Sequence, residues 1–170
     1  MVPGAGEHVV EHLPAQADPR PRALIVDDDR VVRALLRHGL ESAGVEVLEA
    51  FDGVSALQQL VDHLLDLDLL VTDLRMPGLD GTTLVRVVRT EGGERELAIL
   101  VVAATVTPDD RDALGKLGVD AVIEKSVGSE EVVRRAAALA GAARDRRTAA
   151  EYGALASVPI GAVPIVRRAG

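Results

Sequence analysis

Three acidic residues and one lysine stand at positions of this chain where they could do chemistry together. Asp27, Asp28, Asp73 and Lys125 each follow directly after a short segment typical of a β-strand. The carboxyl ends of parallel strands meet at one edge of a sheet, where ligand sites are built. We therefore expect these four side chains to converge on one rim.

Carboxylates held close together repel one another by about 4 kcal/mol per pair at an effective dielectric near 20, so such a rim requires protonation or a cation. Hard oxygen ligands suit Mg²⁺. Mg²⁺ and an ammonium group together suit a phosphoryl group, whose oxygens both can stabilise during in-line transfer. With no Ser, Cys or His predicted at the rim, the nucleophile must be a carboxylate, and the central Asp73 is the candidate.

Two simpler interpretations stay open. Asp73 could cap the next helix, although that helix is expected to start further on, between Asp80 and Thr83. Lys125 could be a solvated strand end. However, 17 of the 19 basic residues are Arg, so a lysine at this position indicates that a compact point charge is needed there.

The elements that position these residues follow from the hydrophobic pattern. Five short apolar segments alternate with five amphipathic segments, which predicts a doubly wound, five-stranded parallel α/β sheet of order 2-1-3-4-5. The predicted strands cover 23–26, 45–50, 69–72, 98–103 and 119–124. Helices are expected at about 32–42, 54–64, 82–90, 108–117 and 130–140, the last capped by Ser129.

Composition narrows the class of protein. The chain has 170 residues, 48% of them hydrophobic, and no Cys, which suits one domain in a reducing cytoplasm. Residues 23–140 carry 22 acidic against 12 basic side chains, which argues against direct nucleic acid binding. The longest apolar run, near 97–106, is too short to cross a bilayer, so no membrane insertion is expected.

Residues 23–140 resemble the receiver domain of two-component response regulators, which has a flavodoxin-like fold. The resemblance rests on the acid pair Asp27 and Asp28, on Asp73 with its following loop, and on Lys125, all in family order and spacing. That loop contains Met76, Pro77, Gly78, Asp80 and Gly81.

The resemblance implies a role for each site residue. Asp73 would accept a phosphoryl group, and Lys125 would hold the phosphoryl oxygens. Mg²⁺ would be bound directly by Asp28, through water by Asp27, and by the backbone carbonyl of Arg75, together with Asp73. The donor would be a phosphohistidine on a sensor histidine kinase or a histidine phosphotransfer protein. Such a protein is a phosphoacceptor and not a conventional enzyme, since it catalyses only its own phosphorylation and dephosphorylation.

The switch positions depart from the family pattern. A hydroxyl is expected at the end of strand four, where this chain has Ala103; Thr105 could replace it only if the loop changes register. The aromatic switch position in strand five is Val122. The residue after the lysine is Ser126 in place of a cis proline, and its peptide bond should favour trans by about 3 kcal/mol. We expect phosphorylation to be relayed weakly or through other residues.

The two ends of the chain are expected to differ from the domain. Residues 1–22 are proline-rich and predicted to be a flexible leader. Residues 141–170 are predicted to extend the last helix to about residue 152 and then form a loose or partner-docking tail. Output would pass through an unknown downstream protein, and a homodimer is compatible with this interpretation.

Two rival functions remain. One rival is a haloacid-dehalogenase-type phosphatase, whose aspartate motif is similar to the spacing of Asp27, Asp29 and Val31. The later acidic pair and the inserted cap of that family are not found in this sequence. The second rival is a pseudo-receiver that keeps the fold and binds partners without phosphorylation. The departures at the switch positions favour it, whereas the intact acid pair, Asp73 and Lys125 oppose it.

Overall fold

A computed structural model describes residues 20–91 and 97–156. Its five strands form one parallel sheet of order β2-β1-β3-β4-β5, which confirms the predicted doubly wound architecture. The strands are β1 Arg22–Val26, β2 Glu46–Ala50, β3 Leu69–Thr72, β4 Ala98–Ala103 and β5 Ala121–Glu124.

Helices cover both faces of the sheet. They are α1 Arg30–Ser42, α2 Gly53–His63, α3 Gly81–Glu91, α4 Pro108–Lys116 and α5 Ser129–Ala156. One hydrophobic cluster lies between the sheet and α2, α3 and α4. The other lies between the sheet and α1 and α5.

Strand β3 shows why its sequence is apolar throughout. Leu69 and Val71 pack into the cluster beneath α1 and α5, whereas Leu70 packs into the cluster on the opposite face. A strand in the middle of a parallel sheet is buried on both faces, so it carries a continuous apolar run. The register pairs Thr72 with Val26 of β1 and Val101 of β4. Strand β1 therefore ends level with β3, whereas β4 continues for two more residues, to Ala103, past the point where Asp73 begins the loop.

Some predicted boundaries were wrong. β5 begins at Ala121, two residues later than predicted, because the carboxylate of Asp120 turns back to accept a hydrogen bond from the Ile99 backbone N–H at 2.8 Å. Ser129, predicted as the cap of the last helix, is its first helical residue. Helix α5 then continues without interruption to Ala156, past the predicted limit near residue 152.

The predicted leader falls almost entirely in residues 1–19 and the predicted loose tail includes 157–170, and both of these stretches lie outside the described residues. Residues 92–96, between the third helix and the fourth strand, also lie outside them. In the part of the chain that is described, no helix combines the length and apolar character needed to cross a membrane.

Candidate functional site

The loop after β3 holds Asp73 firmly at the rim of the sheet. The Asp73 backbone N–H donates to the Val26 carbonyl at 2.8 Å, which continues the β1–β3 pairing by one residue. The Thr72 hydroxyl donates to the Asp73 carbonyl at 2.9 Å. Gly81 passes so close that a Cβ on it would lie 2.0 Å from the Asp73 carbonyl oxygen. The Asp73 residue is only 7% exposed.

The acid pair follows β1 and divides into a buried and an exposed member. Asp27 is 2% exposed, and Asp28 is exposed. The Asp27 side chain accepts a hydrogen bond from the Asp29 backbone N–H at 2.9 Å. Its backbone carbonyl accepts one from the Arg33 guanidinium at 2.7 Å. These contacts fix the Asp27 carboxylate toward the rim while Asp28 faces solvent.

Lys125 joins the two buried carboxylates. Its Nζ lies 2.8 Å from Asp27 Oδ2 and 2.7 Å from Asp73 Oδ2. Burial raises the pKa of Asp27, partly offset by the hydrogen bond from Lys125. Burial also lowers the pKa of Lys125, but its hydrogen bonds to Asp27 and Asp73 outweigh this effect, so that its pKa is raised overall. The lysine is therefore a protonated point charge between two acids.

The three acids fit a divalent cation. One carboxylate oxygen from each of Asp27, Asp28 and Asp73 lies within 4.8 Å of the others. These are hard oxygen donors, and the exposed Asp28 leaves the group open to water, as Mg²⁺ requires. The structure thus brings together all four residues predicted to converge.

The capping alternative for Asp73 fails. Helix α3 begins at Gly81, and the Asp80 carboxylate accepts a hydrogen bond from the Thr83 backbone N–H at 2.8 Å. Asp73 Oδ1 instead accepts one from the Arg75 backbone N–H at 3.2 Å, within its own loop. Its carboxylate is directed at the rim and not at the helix.

Asp29 has a local role that opposes the phosphatase interpretation. Its carboxylate accepts hydrogen bonds from the backbone N–H groups of Val31 and Val32 at 2.7 and 3.4 Å, as an N-cap of α1 does. A capping carboxylate is not placed to act as the acid/base partner of Asp27.

The predicted switch positions lie around the same rim. Ala103 is fully buried at the end of β4 and pairs with Glu124, the residue before Lys125. Thr105 is exposed in the next loop, and Val122 packs partly buried against the cluster beneath α4. The described residues contain no cis peptide bond, so the bond before Ser126 is trans as expected.

The sequence did not predict the contact that the side chain of Arg75 makes. This side chain reaches across to α4, where its Nη2 lies 2.8 and 2.9 Å from the two carboxylate oxygens of Asp110. The sequence also did not predict Arg33 as a support for Asp27. The Arg75–Asp110 pairing does not follow from local spacing, because these residues are 35 positions apart and meet only in the folded chain. Arg33 lies only six residues after Asp27, but its contact is with the backbone carbonyl of Asp27.

The family model for the response regulator receiver domain matches residues 23–137. The transcriptional regulatory protein PrrA of Mycobacterium tuberculosis is 37% identical over 119 residues, covering 70% of this chain and 49% of PrrA. The response regulator MprA of Mycobacterium ulcerans is 40% identical over 118 residues, covering 69% of this chain and 49% of MprA. This chain therefore spans about half the length of these curated relatives.

Solved structures agree on the fold. The chemotaxis protein CheY4 of Vibrio cholerae aligns with a TM-score of 0.62 at 26% identity, covering 69% of this chain and 98% of that chain. The receiver domain of the Francisella response regulator 1452 aligns with a TM-score of 0.65 at 25% identity, covering 75% of this chain and 99% of that domain's chain.

Proposed function

The chain belongs to the response regulator receiver domains, and from this premise we propose that Asp73 accepts a phosphoryl group from a phosphohistidine. The observation that carries the proposal is the position of Lys125, whose ammonium lies 2.7 Å from Asp73 and 2.8 Å from Asp27. A half-buried lysine between two buried acids places a positive charge beside the proposed acceptor.

The proposed reaction transfers the phosphoryl group from an imidazole nitrogen of the donor to a carboxylate oxygen of Asp73. A carboxylate oxygen of Asp73 forms a bond to phosphorus, and the P–N bond of the donor breaks. The electron pair of that bond stays on the imidazole nitrogen of the donor, whose ring carries a proton on its other nitrogen, so that the donor leaves as neutral histidine. Lys125 would leave Asp73 to stabilise the negative charge on the phosphoryl oxygens. The transfer needs no further catalytic protein group on this chain, so we regard the protein as a phosphoacceptor that catalyses only its own reactions.

We further propose that Asp27, Asp28, Asp73 and the backbone carbonyl of Arg75 hold Mg²⁺. When bound, the ion supplies positive charge that offsets the repulsion among the carboxylates and the charge of the phosphoryl group. The fit of the three carboxylates supports this proposal, since their oxygens lie within 4.8 Å of one another. The exposure of Asp28 leaves one side of the group open for exchange with solvent.

The partners proposed are a sensor histidine kinase or a histidine phosphotransfer protein in the cytoplasm, and an unidentified downstream protein. The relative PrrA is named a transcriptional regulatory protein, but this chain spans only half its length. The excess of acidic residues over 23–140 still predicts no direct nucleic acid contact by this domain. A homodimer is compatible with all of these proposals.

Stoichiometric labelling tests the acceptor. With Mg²⁺ and acetyl phosphate, the full chain should form one acyl phosphate per molecule, measured by intact mass and removed by base or hydroxylamine. Asp73→Asn should lose it, because the amide cannot act as the nucleophile. Asp62→Asn, which removes an exposed carboxylate from α2, is the matched control and should label as the original chain does.

The same assay separates the rival functions. Labelling that persists in Asp73→Asn would overturn the acceptor assignment. The complete lack of both Mg²⁺ binding and acyl phosphate would favour the pseudo-receiver, the alternative that Ala103 and Val122 support. Repeated turnover of a generic phosphate ester would favour the phosphatase.

A further inference from the structure

The Arg75–Asp110 ion pair links the loop of the proposed acceptor to helix α4. Arg75 Nη2 contacts both carboxylate oxygens of Asp110, at 2.8 and 2.9 Å. The Arg75 side chain is 65% exposed, but that of Asp110 is only 15% exposed. The contact therefore holds one well-covered carboxylate at the start of α4 to a residue of the β3–α3 loop.

The backbone of Arg75 is also part of the acceptor's surroundings. Its N–H donates to Asp73 Oδ1 at 3.2 Å, only two residues from the acceptor itself. Any change in the oxygens of Asp73 acts directly on this N–H group. One residue is thus bonded to Asp73 through its backbone and to α4 through its side chain.

Asp110 belongs to the first turn of α4 and controls its start. Its Oδ2 accepts hydrogen bonds from the Thr107 backbone N–H at 3.0 Å and hydroxyl at 2.8 Å, and its own N–H donates to that hydroxyl at 3.1 Å. This reciprocal pattern is a capping box. A displacement of the Asp110 carboxylate would therefore carry the N-terminus of α4 with it.

The other end of α4 is attached to α3. The Arg89 guanidinium donates to the carbonyls of Leu117 and Gly118 at 3.3 and 2.8 Å, just after the helix ends. With its C-terminus held and its N-terminus joined to Arg75, α4 can respond to the acceptor by moving at its first turn.

The end of β4 lacks the hydroxyl that the family pattern predicts beside the acceptor. Ala103 carries no hydroxyl that could follow a phosphoryl group, and Thr105 is exposed in the loop. We propose that the Arg75–Asp110 pair takes over this task and transmits the state of Asp73 to the first turn of α4. Arg75 is then a positioning residue that acts through Asp110. The inference rests on the proposed function, since it needs a phosphoryl group or its analogue on Asp73.

Beryllofluoride with Mg²⁺ tests this inference on the full chain, because it occupies a phosphoacceptor carboxylate reversibly. Fluorine NMR reports whether it is bound, and backbone amide NMR reports which elements respond. In the original chain, the amides in the first turn of α4 should shift. Arg75→Gln keeps the backbone N–H on Asp73, and the two proteins are compared at equal beryllofluoride occupancy, matched by fluorine NMR. At equal occupancy the α4 shifts of Arg75→Gln should fall by roughly half or more.

Two further variants separate coupling from a merely structural contact. Asp110→Asn removes the charge but keeps an oxygen for Thr107, and should reduce the α4 shifts as Arg75→Gln does. The double variant should show no additional loss, since both changes break one connection. Lys116→Met, which removes an exposed charge at the far end of α4, is the control and should leave the shifts unchanged.

The outcomes distinguish the two proposals. If no beryllofluoride binds to the original chain, the proposed function fails and the inference fails with it. If beryllofluoride binds but the α4 amides do not shift, or shift equally in Arg75→Gln, the inference alone is overturned. Additive losses in the double variant would also contradict it.

Discussion

At the scale of single residues, the site is governed by the burial of like charges. Asp27 and Asp73 are 2% and 7% exposed, and their carboxylates share one ammonium. Removing one partner of a buried charged cluster leaves the others without compensation, which costs about 1–3 kcal/mol for each unsatisfied group. Lys125 is therefore needed for stability even before any reaction takes place.

Replacing Lys125 by Met should lower the free energy of unfolding at neutral pH by about 2 kcal/mol, measured by urea denaturation without Mg²⁺. Saturating Mg²⁺ should restore part of the loss, because it supplies the missing positive charge. Lys116→Met is the matched control, since that side chain is 75% exposed, and should change stability by less than about 0.5 kcal/mol. Equal effects of the two lysine substitutions would contradict this account.

The Lys125→Met variant should also change how the free energy of unfolding depends on pH. The pKa of Lys125 is raised in the folded state, against burial, by its bonds to Asp27 and Asp73. Its contribution to stability is therefore fully present below the ordinary lysine pKa of 10.5 and is lost as the pH rises through the higher folded value. Lys125→Met should therefore reduce the loss of stability as the pH rises above 10.5, measured by urea denaturation at a series of pH values.

At the scale of elements, the site depends on how closely α3 approaches the end of β3. Gly81, the first residue of α3, stands against the Asp73 backbone, and its N–H donates to the Leu74 carbonyl at 3.1 Å. A Cβ at this position would meet the carbonyl oxygen of Asp73 at 2.0 Å and the Leu74 Cα at 3.0 Å. The nearest atoms all belong to the backbone of Asp73 and Leu74, so no side chain can move aside.

Gly81→Ala should therefore destabilise the fold by about 3 kcal/mol and displace Asp73, since overpacking against backbone cannot relax. The measurement is urea denaturation together with Mg²⁺ titration, which should weaken. Gly141→Ala is the control, because a Cβ there meets nothing within 4 Å in the interior of α5, and it should stabilise by about 0.5–1 kcal/mol. A neutral Gly81→Ala would show that the loop is held less tightly than described.

At the scale of the whole molecule, α5 closes the end of the sheet opposite the site. Arg147 lies 3.2 Å from Asp68, whose side chain is 1% exposed just before β3, and also donates to the Leu65 carbonyl at 2.9 Å. Asp68 in turn accepts from the Arg22 backbone N–H at 2.9 Å. The helix is thus fastened beyond residue 140 to the start of the central strand that carries Asp73.

Arg147→Met should lower the free energy of unfolding by about 3 kcal/mol, because it leaves Asp68 buried without this cation. Hydrogen exchange should become faster in the last two turns of α5, after residue 147. Asp145→Asn, an exposed change on the same helix, should stay within about 0.5 kcal/mol. Unchanged exchange in Arg147→Met would mean that apolar packing alone holds the end of the helix.

The sequence by itself determined the parallel sheet, its strand order and the four residues of the rim. These follow from local signals, namely apolar runs that end in charged residues and glycine or proline turns, because each acts within a few neighbouring positions. The strand ends at Asp27, Asp73 and Lys125 were predicted to converge, and the structure places their charged atoms within 2.8 Å contacts.

Only the tertiary structure decided which distant side chains pair near the rim and at the opposite end of the sheet. Arg75 with Asp110 and Arg147 with Asp68 are pairs separated by 35 and 79 residues. No periodicity relates such positions, since the contact depends on the packing of whole elements and on the rotamers of long side chains. The start of β5 was mispredicted for the same reason, because the Asp120 carboxylate pairs with Ile99 on a neighbouring strand.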